Sequence, residues 1–170
     1  MDLQPILEND LLFIRPLEPA DHKALYEVTK DPMIWEQHFA NRYEQSVFDQ
    51  FFQESLASKG ALIFQLKGSK AIIGSSRYRL IHQYPKIVEI GWTFLARKYW
   101  GGKYNPTIKR LMIDHAFKSM DHVIFKVHHD NLRSQKAVEK IGGRKIEANE
   151  LPLVAALHPE SFIYIINKKP

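Results

Sequence analysis

Apolar residues recur along this chain with two different spacings, and the alternation between them lays out the elements. Leu11 to Arg15, ahead of Pro16, has the composition of a short strand. Pro19-Ala20-Asp21 opens a helix that buries Leu25 and Val28 with Tyr26 beside them. Asp31-Pro32 ends it, because a residue before proline is pushed out of the helical region. A second helix is predicted over Glu44 to Ser58, where Val47, Phe48, Phe51, Phe52 and Leu56 share one face and Gly60 supplies the stop. Strands over Ala61 to Lys67 and Ala71 to Arg79 flank a hairpin turn at Gly68-Ser69-Lys70, and Lys86 to Leu95 forms the next. Asn105 as N-cap and Pro106 at the first helical position start a helix carrying Ile108, Leu111, Met112 and Ala116. Val123 to Val127 is a β-branched strand. Asn131 caps a helix bearing Ala137, Val138 and Ile141, closed by Gly142-Gly143, and strands over Arg144 to Ala148 and Ser161 to Asn167 finish the order. Seven strands and four helices in this order predict an α+β layer on a mixed sheet, one domain over residues 1–170.

Composition narrows the class. The chain has 170 residues, 45% hydrophobic and 25% charged, which excludes a disordered chain. No apolar run reaches the roughly 20 residues of a membrane span. The opening Met1-Asp2-Leu3-Gln4-Pro5 lacks the blocks of a secretory signal, so a cytoplasmic protein is expected. The absence of cysteine excludes disulfides, thiol catalysis and thiolate metal sites. Charge is uneven. Residues 1–85 hold 9 basic and 11 acidic side chains, whereas residues 86–170 hold 15 and 8. Arg97, Lys98, Lys103, Lys109 and Arg110 fall together with no acid between them. Nucleic acid, an anionic membrane or a phosphorylated small molecule would suit such a patch, and so would a solvated face. No aromatic-interleaved motif for nucleic acid accompanies it, so neither nucleic acid nor membrane is the expected partner.

Three places carry candidate chemistry. Tyr99-Trp100-Gly101-Gly102-Lys103-Tyr104-Asn105-Pro106 joins a strand to a helix start, where free amides and flexible glycines can hold an anion and Lys98 and Lys103 add charge; a tight turn is the alternative. The next such junction is His128-His129-Asp130-Asn131-Leu132-Arg133-Ser134, with the Ser134 hydroxyl one turn into the helix that Asn131 caps. Both junctions should open on one side of the sheet. Glu89 lies in the apolar strand Ile87-Val88-Glu89-Ile90-Gly91-Trp92; it faces solvent by alternation or is half-buried, where a raised pKa would make it a general base. His122, His128, His129 and Asp130 are close in sequence but lie on opposite strand faces, so no metal is expected.

Glu89-Ile90-Gly91-Trp92, the Tyr99 to Asn105 stretch, Asn131-x-x-Ser134 and Lys140-Ile141-Gly142-Gly143, in this order after Leu12-Phe13-Ile14-Arg15-Pro16-Leu17, resemble the GCN5-related N-acetyltransferases. The branch they resemble contains the ribosomal-protein N-terminal acetyltransferases. The resemblance implies acetyl-coenzyme A as donor, an amine as acceptor, direct attack in a ternary complex, and fourth and fifth strands that splay apart. It implies a pantetheine arm along strand 87–95, against Trp92, Thr93 and Phe94, and a pyrophosphate on Gly101, Gly102, Lys103, Tyr104 and Asn105 with Lys98 near. Asn131 and Arg133 would meet the cofactor, Glu89 would serve as base and Ser134 as the acid for the thiolate. The family's phosphate loop, Gln/Arg-x-x-Gly-x-Gly/Ala, falls here on Trp100, Lys103 and Asn105, so the chain departs from it at all three places. Trp35, Gln37, His38 and Arg42, between the first two helices, fall where this fold builds its acceptor wall. The acceptor is then a peptide N-terminus or a small-molecule amine, and the protein a monomer or homodimer. An acyl-CoA sensor without catalysis, or a nucleic-acid binder using the basic half, is the competing class. Only the catalytic reading needs Glu89 and Ser134 in the cleft.

Overall fold

The computed structural model describes residues 1–38 and 40–169. Eight strands form one sheet in the order β1-β2-β3-β4-β5-β6-β8-β7. They are β1 (Leu7–Glu8), β2 (Leu12–Pro16), β3 (Ala61–Leu66), β4 (Ile72–Leu80), β5 (Ile87–Leu95), β6 (His122–His128), β7 (Arg144–Lys145) and β8 (Ser161–Asn167). The helices are α1 (His22–Thr29), α2 (Gln45–Ala57), α3 (Tyr104–Ala116), α4 (Leu132–Lys140) and α5 (Pro152–Leu157). Every pairing is antiparallel except β5 with β6, whose connection runs through α3.

Alternation along the strands sends side chains to two covered faces. Leu12, Ile14, Phe64, Tyr78, Val88 and Ile90 pack with Ile108, Met112 and Ala116 of α3 and Val138 of α4. On the other face Ile63 and Phe94 meet Leu25 of α1, Phe48, Phe51 and Phe52 of α2, and Ile34 and Trp35 from the connection. A smaller cluster on that same side joins Ile87, Ile124 and Ile163 to Leu151 and Val154 around α5. Both faces of the central strands are therefore dry, and β5 is buried at six of its nine positions.

The architecture agrees with the expected α+β mixed sheet, with additions. Strand β1 is two residues long and α5 six, too short for either period to register in sequence. The predicted strand over Arg144 to Ala148 shrinks to β7, because the chain turns at once: Arg144 pairs with Glu150, which also accepts from the Glu147 amide. Helix α3 begins two residues earlier than its proline suggests. Lys103 is the N-cap, without a side-chain cap bond, and Asn105 and Pro106 sit inside the first turn. Pro106 costs no bond there, since first-turn amides lack intrahelical partners. Gly60 is not the left-handed stop of α2; Lys59 takes that conformation at φ 52°. The glycine is needed for closeness instead, because a Cβ at position 60 would lie 2.3 Å from the Tyr78 carbonyl oxygen.

Candidate active site

Strand β5 pairs with β6 only at Ile87, Val88 and Glu89, opposite His122, Val123 and Ile124. Past Glu89 the two strands run on without a common ladder, and a cleft of about 560 Å³ passes between them. Two further features shape it. Trp92 and Thr93 together oppose Ser76 of β4, a bulge in which Trp92 adopts φ 53°. A left-handed tryptophan costs on the order of 1–2 kcal/mol. Its ring lies against the Arg77 guanidinium at 4.5 Å and the Arg79 guanidinium at 5.3 Å. The bulge also turns Thr93 toward α3, where its hydroxyl meets Ser76 Oγ at 2.7 Å.

Glu89 lies at the fork, 2% exposed. Arg79 Nη2 sits 2.6 Å from Oε2, outside hydrogen-bond alignment, and that oxygen is buried with no hydrogen-bond partner among the described residues. Lys126 Nζ is 3.6 Å from Oε1 and 2.7 Å from His158 Nε2. Burial lowers the Lys126 pKa, and burial together with Lys126 lowers that of His158. The carboxylate is thus buried as one sequence reading required, but with two cations beside it that the pattern did not announce.

Asn131 caps α4 as predicted, its side chain accepting from the Ser134 amide at 3.0 Å. That leaves the Ser134 hydroxyl in the cleft wall with Asn131 and Arg133. The Arg133 guanidinium stacks 3.9 Å from the Trp100 ring centroid and donates to the Ile34 carbonyl, while its amide donates to Gln37 Oε1 at 3.1 Å. Gln37 thereby ties the α1–α2 connection to the start of α4. His38 and Arg42 also line the cleft. Burial, then Arg42 and Arg133, hold the His38 pKa down to about 4, so the ring is neutral near pH 7.

Of the residues singled out in sequence, the cleft brings together Glu89, Trp92, Thr93, Phe94, Gly101, Asn105, Asn131, Arg133, Ser134, Gln37, His38 and Arg42. Gly101 has φ 70°, a conformation suited to glycine, at the approach to the free amides of α3. The others lie apart. Trp35 is buried in the core, its indole donating to the Thr29 carbonyl, and serves as a platform 5.0 Å from Arg42. Lys98 stands over Tyr99 and lines a separate depression beside Asp31 and Arg97. Gly102 and Lys103 are exposed beyond the cleft lining, and Tyr104 packs edge-on against Tyr99. Among the described residues, no group of three His, Cys, Asp or Glu side chains is placed to hold a metal ion.

Arg79, Lys126, His158 and Lys109 line the cleft without having been singled out as site residues in sequence, and Lys109 is the most buried of them. It is 5% exposed, its Nζ donates to Thr93 Oγ1 at 2.6 Å, and it lies 5.1 Å from the Phe125 ring centroid. The side chain thus bridges β5 and β6 beyond the end of their ladder. Burial alone lowers its pKa to about 7. Its position, with Met112, Ile113 and Ala116 at the i, i+3, i+4 and i+7 spacing, puts it on the buried stripe of α3, a signal that was available in the sequence.

Comparisons with known proteins agree with this geometry. A GCN5-related N-acetyltransferase from Brucella melitensis superposes with a TM-score of 0.80 at 13% identity, covering 96% of this chain and 79% of that one. An acetyltransferase from Agrobacterium tumefaciens gives 0.74 at 24% identity over 96% and 95% of the two chains. The ribosomal-protein-S5-alanine acetyltransferase of Vibrio fischeri gives 0.69 at 15% identity over 98% and 100%. At these identities the likeness is one of fold. Among the described residues, no helix is long and apolar enough to cross a membrane. The family model described as an acetyltransferase (GNAT) domain matches residues 12–144, from the start of β2 to the start of β7 and including Glu89, Asn131 and Ser134, and the chain belongs to the GNAT acetyltransferases.

Proposed function

We propose that this chain acts as one domain over residues 1–170 and transfers an acetyl group from acetyl-CoA to a primary amine, with both reactants held in the cleft. The observation that carries the reading is the fork itself: the β5–β6 ladder stops at Glu89, leaving a buried carboxylate at the head of an opening between two strands. Backbone groups of β5 beyond the fork have no partner on β6 and are available to a pantetheine arm. The pyrophosphate would rest on the amides between Gly101 and Asn105, at the positive end of α3.

In this reading Glu89 takes the proton of the attacking amine, directly or through a water, at Oε2. A β5 amide bonds the oxyanion that develops on the thioester carbonyl, and the Ser134 hydroxyl protonates the departing thiolate. Holding the two reactants together accounts for on the order of 7–11 kcal/mol at best, and acid–base help for the rest. Members of this family use acetyl-CoA, and no step requires a metal. The acceptor in this reading is a peptide N-terminus or a small-molecule amine. The test is CoA release by the purified chain from acetyl-CoA across a panel of primary amines, with the acetylated product identified by mass. CoA binding without turnover on any amine would favour the sensor reading instead.

A further inference from the structure

The face of the sheet opposite α3 carries more positive charge than the protein itself balances. On β4, Tyr78 points to the α3 side, so Arg77 and Arg79 point to the α1–α2 side. On β6, Phe125 and Val127 point to the α3 side, so Lys126 points with the arginines. Arg42 joins them from the α1–α2 connection, its guanidinium 4.3 Å from the Phe51 ring centroid, and the Arg77 guanidinium is 5.8 Å from the same ring. The wall therefore runs continuously from Glu89 through Arg79, Trp92, Arg77 and Phe51 to Arg42.

Glu89 is the one carboxylate within ion-pair distance of these four cations among the described residues, and it meets only Arg79 and Lys126. Arg77 is 8% exposed and donates to Ser55 Oγ, but its Nε has no hydrogen-bond partner among the described residues; the Arg79 Nε is in the same state. Glu54 acts on Arg42 and Arg77 from a distance and is itself exposed and bonded to Gln50. Burial and the neighbouring Arg77 bring the Arg42 pKa down to about 10. A buried guanidinium is stable when paired and hydrogen-bonded, and Arg77 lies over the Trp92 and Phe51 rings with part of its fork left over, between the half-buried Arg42 and Arg79. The phosphates of CoA do not answer for them, because the free amides of α3 lie on the opposite side of the sheet.

We propose that the acceptor carries a carboxylate as well as its amine, with the amine at Glu89 and the carboxylate on Arg42 and its neighbours. This inference rests on the acetyl-transfer reading for the amine but not for the anion. The carboxylate belongs to an acidic side chain, either of a free amino acid or near a peptide N-terminus, because an α-carboxylate lies too close to its own amine to reach Arg42 from Glu89. The side chain of Arg42 sets the far end of the site, and the preference for an anionic acceptor follows from it.

The experiment compares kcat/KM for matched acceptors: free Asp and Glu against Asn and Gln, and peptides opening with Asp or Glu against those opening with Asn or Gln. An acid form favoured by roughly tenfold or more is expected, the worth of one charge-assisted bond. The amino-acid and peptide arms separate the two sources. In Arg42→Gln the acid-to-amide ratio should fall toward one, and Arg42→Lys, which keeps charge without the fork, should fall between. A thermal-shift titration with glutarate, without acetyl-CoA or any amine, reads the anion site independently. Stabilisation of the wild type that is lost in a folded Arg42→Gln supports the site even if no amine is turned over, in which case the transfer reading alone fails. Equal rates for acid and amide forms, with no glutarate response, overturn the proposal.

Discussion

Replacing Lys109 by methionine should stabilise the ligand-free protein at pH 6, and the gain should shrink as pH rises. In the unfolded chain the ammonium titrates at its ordinary 10.5, while burial brings it to about 7 in the native state. Below pH 7 both states carry the proton, so the native state bears the full cost of an ammonium buried without a carboxylate. Between the two values the unfolded chain holds more protons, and wild-type stability climbs with pH. At about 1.4 kcal/mol per pKa unit, the depression sets a cost of roughly 4–5 kcal/mol at pH 6, falling to about 2 kcal/mol at pH 9. Methionine keeps the length and bulk of the chain beside Phe125 but gives up the bond to Thr93, a pH-independent loss of about 1 kcal/mol. Thr93 still has Ser76 as a partner. The advantage of Lys109→Met over wild type should therefore narrow by roughly 2–3 kcal/mol between pH 6 and pH 9, about 5–10 °C in Tm for a chain of this size. Paired thermal melts across that range measure it directly, because every other titrating group is common to both proteins. A difference in Tm that stays constant with pH would refute the argument.

Three further substitutions test the site and its frame. Glu89→Gln should lower kcat by roughly 10²–10⁴-fold with the Kd for acetyl-CoA nearly unchanged, measured by stopped assay and calorimetry; unaltered turnover moves the base elsewhere. Ser134→Ala should keep the wild-type Tm, since the cap bond uses its backbone amide, while turnover drops at least about tenfold; Asn131→Ala, which removes the cap acceptor, should cost about 1 kcal/mol in a denaturant titration. Gly60→Ala drives a methyl group against the Tyr78 carbonyl and should destabilise by about 1–3 kcal/mol, with loss of protection at the Tyr78 amide that bonds Gly60.

The legible parts of this chain are those where one local rule operates alone. Phe48, Phe51 and Phe52 on a helical stripe, Leu12 and Ile14 on alternate strand positions, and Asn131 ahead of a helix each have one physical meaning, and the fold follows from them. Glu89 was ambiguous because alternation presumes a wet face, and here α1, α2 and the α1–α2 connection cover the side that would have been solvated. Asn105 and Lys103 traded places at the start of α3 since proline fits any amide-free position of a first turn. Arg42 was legible from its place between the first two helices, whereas Lys109 and Arg77 stayed hidden for a different reason. A charged residue on a buried stripe contradicts the pattern, and pattern reading discounts it as a surface position. Those contradictions gather at one place, around a fork where β5 leaves β6 and a tryptophan is held at positive φ. A fold that buries Arg77 and Lys109 with no carboxylate on either leaves positive charge unmatched at the cleft, and an anion carried in by the acceptor would balance the arginine.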